Sequence, residues 1–198
     1  KYMTHLVEIT TLNIFESTSS EDLFLEDGIG RSYGVELLLR AYATETFIAW
    51  MSYTLSRSER LSQAGEGWFA FGYDQKHNLN LVTSYSVLPS VRLGTRVRLV
   101  TGNPYTPYLG NIYVVDSDYY IGVPGDTLSA RLPTYFQVDV RAEKRWTSRK
   151  YSTSLFADVM NVTNRRNPEA VRYDANYTDR SYVKGRPIFP IIGVEVAY

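Results

Sequence analysis

Cysteine is absent from this sequence, and so is an excess of charge of either sign. Without cysteine the chain has no disulfide framework, no thiolate zinc site and no cysteine nucleophile. Lysine and arginine together number 21, as do aspartate and glutamate, so the formal net charge is zero. Because nucleic-acid binding depends on a basic surface, the charge balance argues against a nucleic-acid partner.

Long apolar runs are also absent. No stretch approaches the roughly 20 consecutive apolar residues that a membrane-spanning helix requires. A chain of this composition can therefore cross a lipid bilayer only as strands whose backbone groups are all paired in a barrel. The sequence begins at Lys1 and shows no signal-peptide pattern there. We therefore expect it to be a fragment or a mature piece.

Signatures of catalysis and of metal binding are missing as well. No serine lies in a nucleophile elbow and no phosphate-binding glycine loop precedes a helix, so we predict neither an enzyme nor a cofactor. His5 and His77 are far apart and have no cysteine to join, so no transition-metal site is predicted. The aspartates of residues 102–132 could offer oxygen ligands to calcium, but their spacing matches no calcium motif. They are Asp116, Asp118 and Asp126, and we interpret them as solvated.

What the chain does have is tyrosine and a two-residue alternation. It contains 17 tyrosines among 198 residues, and such aromatic content suits strands, interfacial girdles and binding loops. In residues 91–101 and 134–146, apolar side chains occupy one parity and charged or polar ones the other. A helix would mix these sets, so the pattern predicts strands. The predicted strands are residues 2–15, 33–42, 47–57, 77–87, 91–101, 134–146, 151–162 and 188–198.

The lengths of strands and connections favour a barrel in a membrane. About eight strands, most of roughly 10 to 13 residues, exceed the usual strand of a soluble sheet and match a tilted bilayer crossing. Short turns at 43–46, 88–90 and 147–150 alternate with long loops at 16–31, 61–73, 102–132 and 163–185. Outer-membrane barrels have this asymmetry, with their long loops outside the cell. We predict an all-β, antiparallel, up-and-down transmembrane β-barrel fold, and one unit over residues 1–198.

The alternation also assigns the two faces of this wall. A charge on the lipid face near the midplane costs roughly 2 to 4 kcal/mol, so the charged parity is predicted to face the lumen. Arg57 and Lys144 fall on the outward parity near strand ends, where long side chains can reach the headgroups. The charged side chains predicted to face the lumen are Glu36, Arg40, Arg92, Arg96, Arg98, Asp139, Arg141, Glu143, Arg145, Asp158 and Glu195.

Three of these side chains, Arg92, Arg96 and Arg98, form an arginine row on one strand. Such a row could attract an anionic substrate. Our preferred interpretation is that the arginines pair with Asp139, with Glu143 or with a domain that fills the lumen.

Short motifs along the chain carry a family resemblance. In order, they are GRSYGVEL at 30–37, YTLS at 53–56, GNPY at 102–105, DVMNVTN at 158–164, GRP at 185–187 and GVEVAY at 193–198. Together they resemble the C-terminal part of the barrel of TonB-dependent outer-membrane receptors. The resemblance implies a complete 22-stranded barrel around an N-terminal plug domain that is absent from this chain.

The same resemblance implies a function and partners. The complete protein would actively import a scarce nutrient, whether siderophore, cobalamin, glycan or peptide, across the bacterial outer membrane. Its partners would be outer-membrane lipid, its own plug domain, an inner-membrane energy-coupling complex and the barrel-assembly machinery. That machinery is thought to read the closing strand and its terminal aromatic residue. The corresponding residues here are Gly193, Val194, Val196 and Tyr198.

Aromatic residues in the predicted extracellular loops are candidate ligand contacts, because aromatic rings offer large contact area at low entropic cost. They could instead form the outer girdle or pack loop against loop. The candidates are Trp68, Phe69, Tyr73, Tyr105, Tyr108, Tyr113, Tyr119 and Tyr120.

Two alternatives to the receptor stay open at the level of sequence. One is a self-contained eight-stranded outer-membrane barrel with a structural or adhesive role. The other is a soluble, lipocalin-like binding barrel. The presence of further chain before Lys1 would separate the receptor from the small barrel, and dependence on detergent would separate both from the soluble barrel.

Overall fold

The computed structural model describes the backbone of residues 2–9, 24–44, 46–61 and 67–198, and the side chains of residues 28–42, 46–61 and 67–198. Within these ranges the regular structure is β-strand, apart from a short 3-10 turn at Val115–Ser117. No helix among the described residues is long and apolar enough to cross a membrane.

Fifteen strands are formed within the described ranges. They are β1 (Tyr2–Ile9), β2 (Phe24–Thr44), β3 (Phe47–Leu61), β4 (Phe69–Ala70), β5 (His77–Leu88), β6 (Val91–Val100), β7 (Pro104–Tyr105), β8 (Tyr108–Val114), β9 (Tyr119–Pro124), β10 (Ala130–Arg131), β11 (Tyr135–Thr147), β12 (Ser152–Met160), β13 (Pro168–Tyr173), β14 (Arg180–Lys184) and β15 (Phe189–Ala197).

One antiparallel sheet contains all the long strands, in the order β1-β2-β3-β5-β6-β11-β12-β15, and β4 pairs with β3. Each long strand lies beside its neighbour in the chain, so the predicted antiparallel up-and-down arrangement is confirmed. Within the described ranges β1 pairs with β2 and β15 with β12, and the two strands do not pair with each other. The sheet is therefore an open wall.

The start of β2 corrects the sequence analysis. Residues 24–31 were predicted to belong to a long loop, but they pair with β1 and β3, for example Ile29 with Leu61. The segment 26–30 reads Glu-Asp-Gly-Ile-Gly and breaks the alternation on which the prediction rested. The predicted positions 10–15, 16–23, 45 and 62–66 lie outside the described residues.

The long connections carry strands of their own. Residues 102–132 contain β7 paired with β10 and the hairpin β8–β9, and residues 163–185 contain the hairpin β13–β14. All of these strands lie at the same end of the main sheet, opposite the short turns, because the long strands run alternately up and down. We call this the loop end of the sheet, and the other the turn end.

Register separates the side chains of the sheet into two faces. Val97 lies opposite Leu81 on one side and Val138 on the other, while Arg96 lies opposite Val82 and Asp139. We call the face that contains Val97 the apolar face and the face that contains Arg96 the polar face. The apolar face includes Leu37, Leu39, Met51, Tyr53, Leu79, Leu81, Leu93, Val97, Leu99, Phe136, Val138, Val140, Leu155, Ile192, Val194 and Val196.

The sheet has almost no hydrophobic core. Val100 is the buried apolar side chain among the described residues, with 2% of its surface exposed. On the apolar face, by contrast, Ile192 is 77% exposed and Val35 is 69% exposed. Soluble sheets bury one face against another layer, whereas this apolar face has no protein layer against it within the described chain.

Candidate functional site

The polar face carries the charged side chains that were predicted to point into a lumen. Cross-strand register brings the following side chains onto this one face: Glu36, Arg40, Arg92, Arg96, Arg98, Asp139, Arg141, Glu143, Arg145, Asp158 and Glu195. The separation is weaker in β2 and β3, where Leu38 and Trp50 also lie on the polar face. Whether this face borders a lumen stays a prediction.

Ion pairs link β11 and β12 across the polar face. Arg141 lies 2.9 Å from the Asp158 carboxylate and 3.4 Å from that of Glu143. Arg145 contacts the same Glu143 at 3.2 Å and donates a hydrogen bond to Ser154 at 3.2 Å. The two arginines therefore share one carboxylate, and half-exposed pairs of this kind contribute little stability each.

The arginine row on β6 does not pair with Asp139 or Glu143, and its pairing with a domain that fills the lumen stays a prediction. Arg92 and Arg96 lie opposite Glu143 and Asp139 in register, yet no carboxylate of the described side chains lies within 4.0 Å of the guanidinium groups of the row. Glu143 pairs instead with Arg141 and Arg145, and one oxygen of Asp139 accepts hydrogen bonds from the Asn161 N–H and the Gln137 amide. The row therefore forms no close ion pair with the described carboxylates, and the Arg98 guanidinium lies 5.4 Å from the Tyr135 ring centroid.

The polar face has several hollows, two of which lie at mid-sheet and toward the loop end. The larger, of about 440 Å³, is lined at mid-sheet by Arg92, Arg96 and Arg141 together with acidic side chains such as Asp158. The second, of about 250 Å³, lies nearer the loop end. It is lined by Arg96, Arg98, Tyr135, Gln137, Asp139, Met160, Asn161, Asn167, Glu169, Gly185, Arg186 and Pro187. Both can hold polar groups, because each combines cationic side chains with carboxylates.

A buried ion pair joins two of the long connections at the loop end. The carboxylate of Asp74, with 1% of its side chain exposed, pairs with the guanidinium of Arg131 on β10. The other oxygen of Asp74 accepts a hydrogen bond from the Ser58 N–H at 2.7 Å. Asp74 thereby holds the 102–132 connection against β3. The desolvation cost of burying its carboxylate is reduced because each carboxylate oxygen has a cationic or hydrogen-bonding partner.

The side chain of Asn167 forms the two backbone hydrogen bonds that a residue of a neighbouring strand would form with Phe136. This side chain accepts a hydrogen bond from the Phe136 N–H and donates one to the Phe136 carbonyl, both at 2.9 Å. Asn167 is 3% exposed, and its own carbonyl accepts a hydrogen bond from the Gly185 N–H at 2.8 Å. It therefore attaches the β13–β14 connection to the start of β11.

We expect Asn167→Ala to destabilise this attachment by about 1 to 3 kcal/mol, because it leaves the N–H and the carbonyl of Phe136 without their hydrogen-bond partners. Hydrogen exchange at the Phe136 amide should speed up accordingly. Asn167→Asp, which keeps the acceptor and loses the donor, should give an intermediate rate. An exchange rate in Asn167→Ala equal to that of the wild type would contradict this role.

Tyrosine side chains pack the connection of residues 102–132 against that of residues 163–185. Tyr108 packs edge-on against Tyr173 at 5.1 Å and against Tyr177 at 4.7 Å between ring centroids. Asn111 donates a hydrogen bond to the Asn176 carbonyl at 2.6 Å. The Tyr105 hydroxyl likewise accepts one from the Arg180 guanidinium at 3.2 Å. Of the predicted ligand residues, Tyr105 and Tyr108 thus have packing roles between loops.

The hairpin β8–β9 presents further tyrosines. Tyr113 and Tyr120 are paired in register, with ring centroids 5.0 Å apart, and Tyr119 is 49% exposed. The Tyr113 hydroxyl donates a hydrogen bond to Asp118 at 2.7 Å, and this bond raises the pKa of Tyr113. The predicted ligand contacts on this hairpin are therefore accessible.

The aromatic residues after β3 are placed differently. The Arg31 guanidinium lies 4.0 Å from the Trp68 ring centroid, Phe69 belongs to β4, and Tyr73 is 75% exposed. None of the predicted ligand residues lines the two hollows of the polar face. The structure thus distributes them over two connections, β3 to β5 and β6 to β11, and does not gather them around one cavity.

The sequence analysis missed several residues that line the second hollow or join the loops. Tyr135, Glu169 and Arg186 line that hollow, and Tyr173 and Tyr177 form the tyrosine cluster. The aromatic content of residues 163–185 was the available signal for the last two. Tyr135 lies in the alternating segment 134–146 and Arg186 in the GRP motif, but neither signal brings them together with Glu169, since the three meet through strand pairing and loop folding.

The predicted barrel-assembly residues lie on the last strand. Val194 and Val196 are 64% and 60% exposed on the apolar face, and Tyr198 follows β15 fully exposed. Gly193 lies on the polar face opposite Phe156, whose ring occupies the space where a Cβ would be. A larger residue at 193 would therefore displace that ring.

No protein-family model matches the sequence, and no curated protein matches it. Among solved structures the chain is similar to the ferric-catecholate import receptor Fiu from E. coli K12 in its closed form, with a TM-score of 0.58 and 15% identity. What they share is the fold. The match covers 98% of this chain and 23% of the receptor chain, so this chain spans about a quarter of that length.

Proposed function

We propose that the chain forms part of the wall of an outer-membrane import receptor, with its apolar face against lipid and its polar face toward the lumen. The observation that carries this proposal is that one face of the sheet is apolar and exposed, while the opposite face carries the arginine row and the carboxylates. In water such an apolar face would promote aggregation, whereas in a bilayer it is the surface that lipid chains cover.

Aromatic residues at both ends of the apolar face support the membrane placement. At the loop end lie Tyr33 and Tyr53, and at the turn end lie Tyr85 and Trp146. Between these rings the apolar face consists almost entirely of aliphatic side chains. Tyrosine and tryptophan favour the two interfaces of a bilayer, because each ring combines an apolar body with a polar group.

Strand length also supports the placement of the sheet in a membrane. β5 has 12 residues and β11 has 13, and a tilted strand needs about 9 to 11 residues to cross a hydrocarbon core. Lys144 lies at the turn end, with its ammonium 5.3 Å from the Trp146 ring centroid, where it can reach the headgroups.

A wide, TonB-dependent barrel agrees best with the polar face. The many charged side chains of the polar face would meet water or a polar plug domain there at lower desolvation cost than in a sealed small barrel. Residues 1–198 would then supply C-terminal strands and loops. The plug, the energy-coupling complex and the barrel-assembly machinery would be partners of the whole protein. Because the receptor of similar structure is a ferric-catecholate import receptor, an iron chelate is the first nutrient to test.

The test is nutrient uptake by cells that lack the gene, compared with cells that carry it. We expect the protein in the outer-membrane fraction, and we expect loss of the gene to abolish uptake of one labelled nutrient, with a ferric catecholate tried before cobalamin, glycans and peptides. A protonophore should abolish the same uptake in cells that carry the gene, since import at this membrane is energised from the inner membrane.

Two results would contradict the proposal. A protein that is monodisperse in plain buffer would support the soluble barrel. An outer-membrane protein whose loss changes no uptake would support the structural or adhesive barrel.

A further inference from the structure

Gly94 lies in the middle of β6 on the polar face, where the backbone does not require a glycine. Its pairing with Ser84 and Arg141 continues in register on both sides, so no bulge is present. Its φ is not in the left-handed region, and a Cβ there would find its nearest neighbours at an ordinary contact distance of 3.7 Å. A glycine inside a strand that no bulge explains often marks a place where a ligand approaches closely.

The missing side chain opens the 440 Å³ hollow at mid-sheet. Thr83, Thr95 and Val140 also line this hollow, although register places their side chains on the apolar face. They therefore contribute main chain to its floor, because side chains alternate between the two faces of a sheet. A hollow of this volume is large enough for a small organic molecule.

Two arginines border the hollow without an acidic partner. Arg92 and Arg96 flank Gly94 on the same strand and the same face. No carboxylate of the described side chains lies within 4.0 Å of either guanidinium. Since a guanidinium binds a carboxylate with paired N–H donors, these two side chains are available to a carboxylate of a ligand.

A carboxylate with unused hydrogen-bonding capacity lines the same hollow. Asp139 lies directly opposite Arg96 in register. The hydrogen bonds that it accepts from the Asn161 N–H and the Gln137 amide both end on one oxygen, so within the described chain its other oxygen accepts none. The other acidic residues of the hollow already pair with arginines of β11. Asp139 is therefore available to a cationic group of a ligand.

Apolar side chains complete the lining. Val82, Met160 and Ile191 border the hollow beside the charged groups. Free guanidinium groups, a free carboxylate oxygen and an apolar wall complement a molecule that has a carboxylate, an ammonium and apolar side chains. A short peptide has all three. Residues opposite each other on paired strands are about 5 Å apart, and the two ends of a dipeptide are separated by about 7 Å, so one dipeptide can reach both Arg96 and Asp139.

We propose that the hollow over Gly94 binds a short peptide, with Arg92 and Arg96 holding its carboxylate and Asp139 holding its ammonium. The inference rests on the proposed function in one respect, because a solute reaches this face only if the polar face borders an aqueous lumen. It names short peptides as a substrate class, which the similarity to a solved structure does not indicate.

The experiment titrates the purified full-length protein in detergent with leucyl-leucine, using isothermal titration calorimetry. Three related probes each lack one feature. N-acetyl-leucyl-leucine has no ammonium, leucyl-leucine amide has no carboxylate, and glycylglycine has no apolar side chains. We expect each of them to bind at least about tenfold more weakly than leucyl-leucine, because each loses one kind of contact.

Variants of the two charged contacts should match the probes. Arg96→Gln should weaken the binding of leucyl-leucine at least about tenfold and leave that of the amide nearly unchanged, because the amide has no carboxylate to lose. Asp139→Asn should weaken leucyl-leucine and leave the N-acetyl form nearly unchanged. Asparagine at 139 can still accept the hydrogen bonds from Asn161 and Gln137. A variant that simply misfolded would lose all the probes alike.

Two further variants test the hollow itself. Gly94→Leu should fill it and abolish binding, whereas Gly94→Ala should fold normally and retain most of the affinity, because a Cβ meets only ordinary contacts there. Arg40 provides the matched charge control. It lies on the same face outside the hollow, so Arg40→Gln should leave binding unchanged.

Three results would overturn the proposal. One is equal affinity for leucyl-leucine in the wild type, in Gly94→Leu and in Arg96→Gln. Another is equal affinity of the wild type for leucyl-leucine and its N-acetyl form, which would show a site for simple anions. The third is an absence of binding to the folded wild type, which would assign the hollow to a segment of the protein itself.

The inference and the proposed function fail in different ways. A protein that resides in the outer membrane and imports an iron chelate, but does not bind leucyl-leucine, removes the peptide site alone. A protein that is monodisperse without detergent removes the membrane placement, whatever the calorimetry shows.

Discussion

Met51→Arg should prevent the wall from assembling in a membrane. Met51 lies at mid-strand on the apolar face, between Leu39 and Leu81 in register. An arginine near the bilayer midplane on the lipid face costs about 2 to 4 kcal/mol, a large part of the total stability of a protein. We expect the variant to be depleted from the outer-membrane fraction, and to refold poorly into lipid vesicles when purified from inclusion bodies.

The neighbouring residue gives the matched control. Ser52 lies at the same depth on the polar face, opposite Leu38 and Asn80. Ser52→Arg should therefore assemble at close to the wild-type level, since water or polar groups can solvate the new charge. If Met51→Arg assembled normally and Ser52→Arg did not, the two faces would be exchanged and the lumen would be on the other side.

Arg131→Ala should release the 102–132 connection from the sheet. The substitution leaves the carboxylate of Asp74 buried without its cation, and breaking a buried pair in this way costs about 3 to 5 kcal/mol. Because Arg131 also donates a hydrogen bond to the Gly102 carbonyl at 3.3 Å, both ends of the connection lose support. Amide exchange in β7 and β10 should accelerate by roughly a hundredfold or more.

A second variant separates the lost charge pair from lost packing. In Arg131→Ala combined with Asp74→Asn, the new amide can still accept the hydrogen bond from the Ser58 N–H but carries no buried charge. We expect this double variant to recover much of the protection. Protection in Arg131→Ala equal to the wild type would show that the ion pair does not hold the connection.

The expected effects at Met51 and at Arg131 depend on different kinds of information. The effect at Met51, and its contrast with Ser52, follows from the opposite parity of two neighbouring residues, which is visible in the amino-acid sequence alone. The effect at Arg131 cannot be inferred from the sequence alone. Its partner Asp74 lies 57 residues away in the chain, and the sequence around Asp74 resembles that of any polar loop. Contacts between distant loops depend on how the intervening strands pair.

Alternation was a reliable guide where it was unbroken. Residues 91–101 and 134–146 became β6 and β11 almost to the residue, and Val97 and Val138 pair as members of one face. It failed at the start of β2, where charged residues and glycines interrupt it over 26–30 while backbone pairing continues. Pairing with a neighbour can sustain a strand that its own side chains do not mark.

The sequence by itself determined most of each long strand, their up-and-down order and the two faces, because a two-residue period needs only the local geometry of an extended chain. The tertiary structure alone decided which charges meet. Arg141 reaches Asp158 and shares Glu143 with Arg145, and Arg131 reaches Asp74. These contacts join residues far apart in sequence, and their geometry is set by strand register and loop folding, which no single segment encodes.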